Sequence, residues 1–527
     1  MTPVSTFAYS AASNLLTLTW ALPLASAAAL ALFPRQRVSA IRRFALAANT
    51  LNLILVAVLT VLFFKSPPVP NTSSGGTETM LAFAADHEWL SVLNVHYLIG
   101  VDAISITLML LAAVILFSGT LASWTIGAPG GTGKVAALAS SENGAKEFFI
   151  LLQILAAGVF GCFISFDLFT FFVFNELTLI PTYLLIALFG SGRREYAAMK
   201  LTLILMGGSA LIFLGIFGLY FESGIHSFSI LELSQVRFHP DFQGWAFPVL
   251  FLGFGILGNM FPFHIWSPDG HASAPTAVSM LLAGVHMKLG AYGCLRIAMY
   301  LLPEGAGMWM NVFLIPAVVG VVWGGFVAVR QKDLKYMNAY SSVSHCGLVF
   351  VGLATLNLIG LRGAVLQMLA HGFITATVFA VIGMIYQRTH TRRIPDMSGL
   401  MRSIPFLSVV FVIAGMAALG LPGFAGFAAE LNIFLGAFAA AGTLARMGAV
   451  LAVLSIIVSA IYILRAVNGV LHGPPKENAA VLSDAVPVEK IALLTLLAAI
   501  LVLGLWPGPV VHRIDDALMP ILNNLKR

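Results

Sequence analysis

Six side chains able to carry a proton fall inside long apolar stretches of this sequence: Glu176, His286, Lys288, His345, His371 and Glu430. A charged group at the centre of a membrane-spanning helix costs about 2.5 to 3.5 kcal/mol on insertion scales, so each needs a partner or a wet cavity. Desolvation brings carboxyl and ammonium groups as classes toward neutral pKa values, and imidazole starts there. A row of such groups is suited to passing a proton, because each gain or loss changes the proton affinity of the next. Bland roles compete with this one. Glu176 and Lys288 could form a static ion pair fastening two helices, Glu430 could cap amides exposed beside a glycine-rich break, and the imidazoles could be satisfied core residues. Asp102, Asp167 and Lys200 fall near expected helix ends, where snorkelling makes charge cheap. His264, Asp269 and His271 share one short loop with the spacing of metal ligands but too few donors, and read better as a turn lining a proton entrance.

The elements that must position these groups are membrane helices. Of 527 residues, 59% are hydrophobic and only 9% charged, whereas soluble domains carry roughly 25% charged residues. Mean hydropathy is +0.94. Apolar stretches of about 18 to 25 residues, each able to cross roughly 30 Å of hydrocarbon as a helix, recur from Leu15 to Leu505. The expected spans are 15–33, 44–64, 101–124, 148–166, 168–190, 201–222, 243–263, 277–302, 311–329, 338–357, 363–386, 405–442, 447–470 and 490–507. The twelfth is too long for one crossing and is cut by Gly420, Pro422, Gly423 and Gly426, which predicts two half-helices joined by unwound backbone. The seventh likewise runs through Gly258 into Pro262 and Pro268. Paired interruptions of this kind point to inverted repeats around a transport path. They predict an all-α integral membrane fold of about 14 helices, with five-helix repeats at helices 4–8 and 9–13. In residues, the expected units are 1–147, 148–302, 311–470 and a C-terminal helix with a short tail, 471–527.

Loop charge tests the list independently, since Lys and Arg concentrate on the cytoplasmic side. Nineteen of the 28 Lys and Arg residues follow odd-numbered helices and seven lie elsewhere outside helices, with Lys288 and Arg296 inside the eighth. The bias predicts both termini on the periplasmic side of a bacterial inner membrane. It also accounts for the net charge of +6 without a nucleic-acid partner. No basic residue precedes the first apolar stretch and Arg35, Arg37, Arg42 and Arg43 follow it, so it is expected to remain as a helix. Cys162, Cys294 and Cys346 lie far apart, and no G-x-G-x-x-G opens a helix after a strand. Neither a metal, a cluster nor a dinucleotide is expected in this chain.

Four stretches carry a family resemblance: Phe174-Asn-Glu-Leu-Thr-Leu-Ile-Pro181, His264-Ile-Trp-Ser-Pro-Asp-Gly-His-Ala-Ser-Ala-Pro-Thr276, Asp333-Leu-Lys-Tyr-Met-Asn-Ala-Tyr-Ser-Ser-Val-Ser-His345 and Gln367-Met-Leu-Ala-His-Gly372. They resemble the antiporter-like membrane subunits of respiratory complex I, the proton-translocating NADH:quinone oxidoreductase, over most of helices 3 to 13. Glu430, where sister chains have lysine, the length, and Tyr386-Gln-Arg-Thr-His-Thr-Arg392 favour one of the three antiporter-like branches. The resemblance implies a proton path through Glu176, Lys288, His345, His371 and Glu430; the sequence itself adds His286, Asp167, Lys200 and His264 as auxiliary candidates. It implies sister antiporter-like chains and the lipid bilayer as partners, with NADH, flavin, iron–sulfur clusters and quinone on other subunits. One departure stands out: the family's seventh helix usually carries a lysine seven residues before the residue matching His264, and Leu257 stands there. Subunits of cation/proton antiporters and of membrane-bound hydrogenase arms share these motifs, and Leu257 is also compatible with a spacer that no longer pumps.

Overall fold

The computed structural model describes residues 3–65, 81–125, 144–440, 442–475 and 482–526. The helices are α1 (Pro3–Ala31), α2 (Val38–Lys65), α3 (Ala103–Ala122), α4 (Gly144–Ile164), α5 (Leu168–Phe189), α6 (Arg194–Glu222), α7 (Pro240–Leu257) and α8 (Thr276–Met299). The chain continues with α9 (Pro303–Arg330), α10 (Leu334–Ala354), α11 (Leu358–Thr389), the two halves α12a (Pro405–Ala418) and α12b (Ala425–Ala439), α13 (Thr443–Leu471), α14 (Pro487–Leu505) and α15 (Gly508–Leu525). Eleven of the described helices are long and apolar enough to cross a membrane. With α7, α10 and the broken α12 they make up the fourteen spans, and the chain is a multi-pass membrane protein. Helix α10 falls short on apolarity because Asn338, Ser341, Ser342, Ser344 and His345 occupy it, all of them buried.

Helices start where a side chain can satisfy their free amides. Asp102 caps α3 in a capping box with Ser105, Asp167 caps α5, Asp333 caps α10 and Asn357 caps α11. The expected breaks are present. Helix α7 stops at Leu257 and the chain turns through residues 258–265 into a short helix, Trp266–Ser273. Helix α12a stops at Ala418, and Gly420 and Gly423 adopt φ of +65° and +95°, a region open to glycine at little cost.

Helices α8 and α11 form the centre, with their apolar windows 100% buried, whereas α13 and α14 bury 39% of theirs and face outward. Two glycines let the central pair approach. A Cβ on Gly372 would sit 2.7 Å from the Gly284 carbonyl oxygen, and one on Gly284 would sit 3.2 Å from that of Gly372. Helix α8 is also not regular. It widens into π turns at Leu282–His286 and Cys294–Met299, a distortion that often accompanies functional sites.

Two elements depart from the sequence expectation. Strands β1 (Ala82–Leu90) and β2 (Val95–Val101) pair antiparallel before α3; a bridge from Ile99 to Ser165 ties this hairpin to the α4–α5 turn, and that turn is bridged in its own right from Asp167 to Ser229. The short tail is an 18-residue helix, α15. Its Ile514, Ala517, Leu518, Ile521 and Leu522 are buried at helical spacing. Two hydrogen bonds of 2.6 Å from Arg362 to Asp515 hold it against α11.

Candidate functional site

Lys288, on the buried α8, donates to the Ala283 carbonyl oxygen at 2.5 Å and reaches Nδ1 of His371 on α11 at 2.7 Å. The close approach at Gly284 and Gly372, one turn and one residue away, makes that contact possible. The His371 ring lies against His345 of α10, with centroids 5.4 Å apart and planes at 29°. His345 Nδ1 is 3.2 Å from the Gln367 amide nitrogen and 3.6 Å from Oε1 of Glu430 on α12b. Glu430 sits one turn into the second half-helix, with Gly420 of the break so close that a Cβ there would be 2.5 Å from its Oε2. All four titratable groups are at most 7% exposed. They form one continuous row, Lys288, His371, His345 and Glu430, across three unbroken helices and one broken one.

The row continues as hydroxyls and amides. A cavity of about 10 Å³ lined by Ser344, His345, Glu430, Ser455 and Ser459 adjoins it, close to the space of one water. Beyond it the Tyr462 hydroxyl lies 3.4 Å from Ser459 and 2.7 Å from Ser341. Asn338 donates to Thr375 at 3.3 Å, and Ser342 lies 3.2 Å from the same hydroxyl. A second cavity of about 20 Å³ touches Asn338, Ser341 and Tyr462. These small polar residues escape a search for charges. Their signal in the sequence is the run Asn338 to His345, too polar for a lipid-facing helix.

Glu176 stands apart from the row. It is half-buried on α5, its carboxylate 3.3 Å from the Asn175 amide nitrogen, and it does not face Lys288, whose contacts are Ala283 and His371. Leu257 is buried at the end of α7. The residues expected near helix ends have structural partners. Asp102 pairs with the buried Arg296 of α8, and Lys200 pairs with Asp269 at 2.6 Å, where the Tyr336 hydroxyl also donates at 3.0 Å. Asp167 accepts from the Thr170 and His96 amides. Burial pushes its pKa up to about 6, against those hydrogen bonds, which lower it. His264 is buried against Phe261, with ring centroids 5.4 Å apart. His286 is buried two residues before Lys288. Among the described residues no group of three or more His, Cys, Asp or Glu is arranged to hold a metal ion.

Comparison with known proteins matches residues 165–457 to the family described as NADH:quinone oxidoreductase/Mrp antiporter, TM. The chain is 34% identical over 498 residues to NAD(P)H-quinone oxidoreductase chain 4 1 of Picosynechococcus sp., covering 93% of this chain and 89% of that one. It is 34% identical over 529 residues to NADH-quinone oxidoreductase subunit M of Rhodobacter capsulatus, covering 97% of each. A chain in the structure of respiratory complex I from Thermus thermophilus with bound NADH superposes with a TM-score of 0.84 at 26% identity, covering 97% of this chain and 99% of that one. With the four motifs, the broken helices and the buried Lys–His–His–Glu row in place, the chain belongs to the NADH:quinone oxidoreductase/Mrp antiporter transmembrane family, in its subunit M (chain 4) branch.

Proposed function

We propose that this chain carries protons across a bacterial inner membrane as a membrane-arm subunit of an NADH:quinone oxidoreductase, coupled to quinone reduction on other subunits. The observation that carries this reading is the continuous buried row from Lys288 through His371 and His345 to Glu430. Lysine and glutamate at its two ends hold opposite charges when both are ionised, and the two imidazoles between them accept and release protons at separate nitrogens. Moving a proton at one end changes the field at the next group and passes the load onward. Carrying one charge against 100 mV costs about 2.3 kcal/mol. Coupled pKa changes of about two units across several groups meet that load, at about 1.4 kcal/mol per unit.

The paired breaks after Leu257 and Ala418 support two inverted five-helix units, α4–α8 and α9–α13, meeting at this row. The excess of Lys and Arg after odd-numbered helices supports both termini on the periplasmic side. NADH, flavin, iron–sulfur and quinone chemistry belongs to partner subunits, and sister antiporter-like chains flank this one. Glu176, half-exposed on α5, serves the path from its edge and not from within the row.

A non-pumping structural role is the reading that Leu257 favours. Proton uptake into vesicles carrying the assembled complex, with quinone reduction followed in parallel, separates the two. Lys288→Ala and Glu176→Gln are expected to lower protons moved per electron while the complex still assembles. Unchanged ratios for both would establish the structural role instead.

A further inference from the structure

The titratable row ends at Glu430, and the hydroxyls around that end lie to one side of it. On α10 the polar run from Asn338 to His345 is followed by residues 347–354, whose side chains hold no nitrogen or oxygen. On α13 residues 447–454 are equally apolar, and Ser455, Ser459 and Tyr462 come after them. Ser341 touches Tyr462, and one cavity joins Ser344 to Ser455 and Ser459, so the two helices run antiparallel with their polar stretches side by side. Both stretches lead toward the Lys- and Arg-rich rim. Arg465, one turn past Tyr462, is exposed and donates to the Gln331 carbonyl oxygen just before α10, where Asp333 pairs with Arg392 at 3.2 Å. On the second half-helix, Asn432 donates back to Ala428 of its own helix at 2.7 Å and does not extend the row the other way.

Two small cavities mark the route. One, of about 10 Å³, is lined by Glu430, His345 and Ser459; the other, of about 20 Å³, is lined by Asn338, Ser341 and Tyr462. Ala418, the last residue of α12a, lines both, so they are neighbours. Each is about the size of one water. Between them stand hydroxyls. Tyr462 lies 2.7 Å from Ser341, with either oxygen able to donate, and 3.4 Å from Ser459, a longer contact. The Tyr462 side chain is 1% exposed. One partner satisfies a buried tyrosine hydroxyl; this one has two, on two helices, with a cavity to either side. A hydroxyl both donates and accepts, so a bond between two of them can reverse, as passing a proton and then resetting requires.

The geometry points to Tyr462 as the hydroxyl through which Glu430 exchanges protons with the Lys- and Arg-rich rim, by way of Ser341, Ser459 and one water in each cavity. The inference rests on the proposed proton path and adds the route by which its Glu430 end reaches solution. The step balances: a proton arriving at the Tyr462 oxygen from the Ser341 side is matched by the hydroxyl proton leaving toward Ser459, from which the cavity water hands one on to the Glu430 carboxylate. The hydroxyls then rotate back before the next transfer. No oxidant or reductant takes part, and Asn338 only orients water.

The test compares four assembled complexes in vesicles: the parent, Glu430→Gln, Tyr462→Phe and Tyr292→Phe. Phenylalanine keeps the ring and removes one oxygen. Tyr292 is the control, a buried tyrosine of α8 whose hydroxyl has no hydrogen-bonding partner in the protein. Glu430→Gln is expected to lower the proton-to-electron ratio, Tyr462→Phe to lose at least half as much, and Tyr292→Phe to keep the parent value. Should Tyr462→Phe fail to assemble, Ser341→Ala, which removes the facing hydroxyl, is measured with the same expectation. A route from Glu430 toward the other rim would pass neither hydroxyl. A loss in Tyr462→Phe smaller than half that of Glu430→Gln therefore overturns the Tyr462 route and leaves the proton path standing. An equal fall in Tyr292→Phe also overturns the route, because losing any buried tyrosine hydroxyl would then suffice. An unchanged ratio in Glu430→Gln overturns both the route and the path.

Discussion

Replacing Gly372 with alanine changes no titratable group, yet it is expected to break the transfer between α8 and α11. The new Cβ would lie 2.7 Å from the Gly284 carbonyl oxygen and 2.7 and 2.8 Å from the two Leu111 methyls, where ordinary contact begins at 3.4 Å. The leucine methyls can rotate away; the carbonyl belongs to a helix backbone and cannot. The helices must therefore part by about 0.7 Å, the difference between 3.4 and 2.7 Å, which is large against the tight packing of a protein interior. The Lys288–His371 contact, 2.7 Å in the native chain, would lengthen to about 3.4 Å, beyond the usual range of about 2.7–3.2 Å and correspondingly weak. Lys288 cannot simply follow, because the Ala283 oxygen of its own helix holds it at 2.5 Å. A hydrogen bond to a charged group is worth about 1.5–3 kcal/mol, so the transfer should slow by roughly ten- to a hundredfold. The assay is proton uptake per electron in vesicles, with assembly checked on native gels. Gly207→Ala is the control, since a Cβ there meets nothing within 4 Å. Gly284→Ala, whose nearest backbone contact is 3.2 Å, should have a smaller effect. An unchanged ratio in an assembled Gly372→Ala complex would refute the claim that direct Lys288–His371 contact carries the proton.

Two further perturbations probe the scaffold. Arg296→Leu leaves Asp102 buried and unpaired, and should cost about 3–5 kcal/mol; combining Arg296→Met with Asp102→Asn, which keeps the cap on α3, should recover most of it. Thermal unfolding in detergent measures both, and equal losses would mean that the ion pair is not what Arg296 contributes. Asp515→Asn weakens the grip of Arg362 on α15, a partly solvated pair worth about 1 kcal/mol. Amide exchange across residues 508–525 should then quicken about fivefold, and an unchanged rate would show that the buried apolar face alone seats the helix.

Much of this molecule is legible in its amino-acid sequence. Length and hydropathy alone place the spans, because hydrocarbon tolerates no unpaired backbone and a helix satisfies every amide locally. Loop charge supplies the orientation proposed for them, and the glycines and prolines at 258–268 and 420–426 locate the breaks through backbone chemistry that is equally local. The rarity of charge at membrane depth singles out Glu176, His286, Lys288, His345, His371 and Glu430 for the same reason; it does not say which four of them form one row. The β1–β2 hairpin and α15 are less visible, since one depends on pairing across a turn and the other on an apolar face that has value only against the helices it meets, α3, α9 and α11. Partner choice is not visible at all. Helical periodicity says which face a residue occupies, not which helix that face meets. Lys288 meets His371 and not Glu176 because Gly284 and Gly372 bring two backbones together while Glu176 stays half-buried on α5 beside Asn175. Those contacts join residues more than eighty positions apart, and only the packing of the whole bundle decides them.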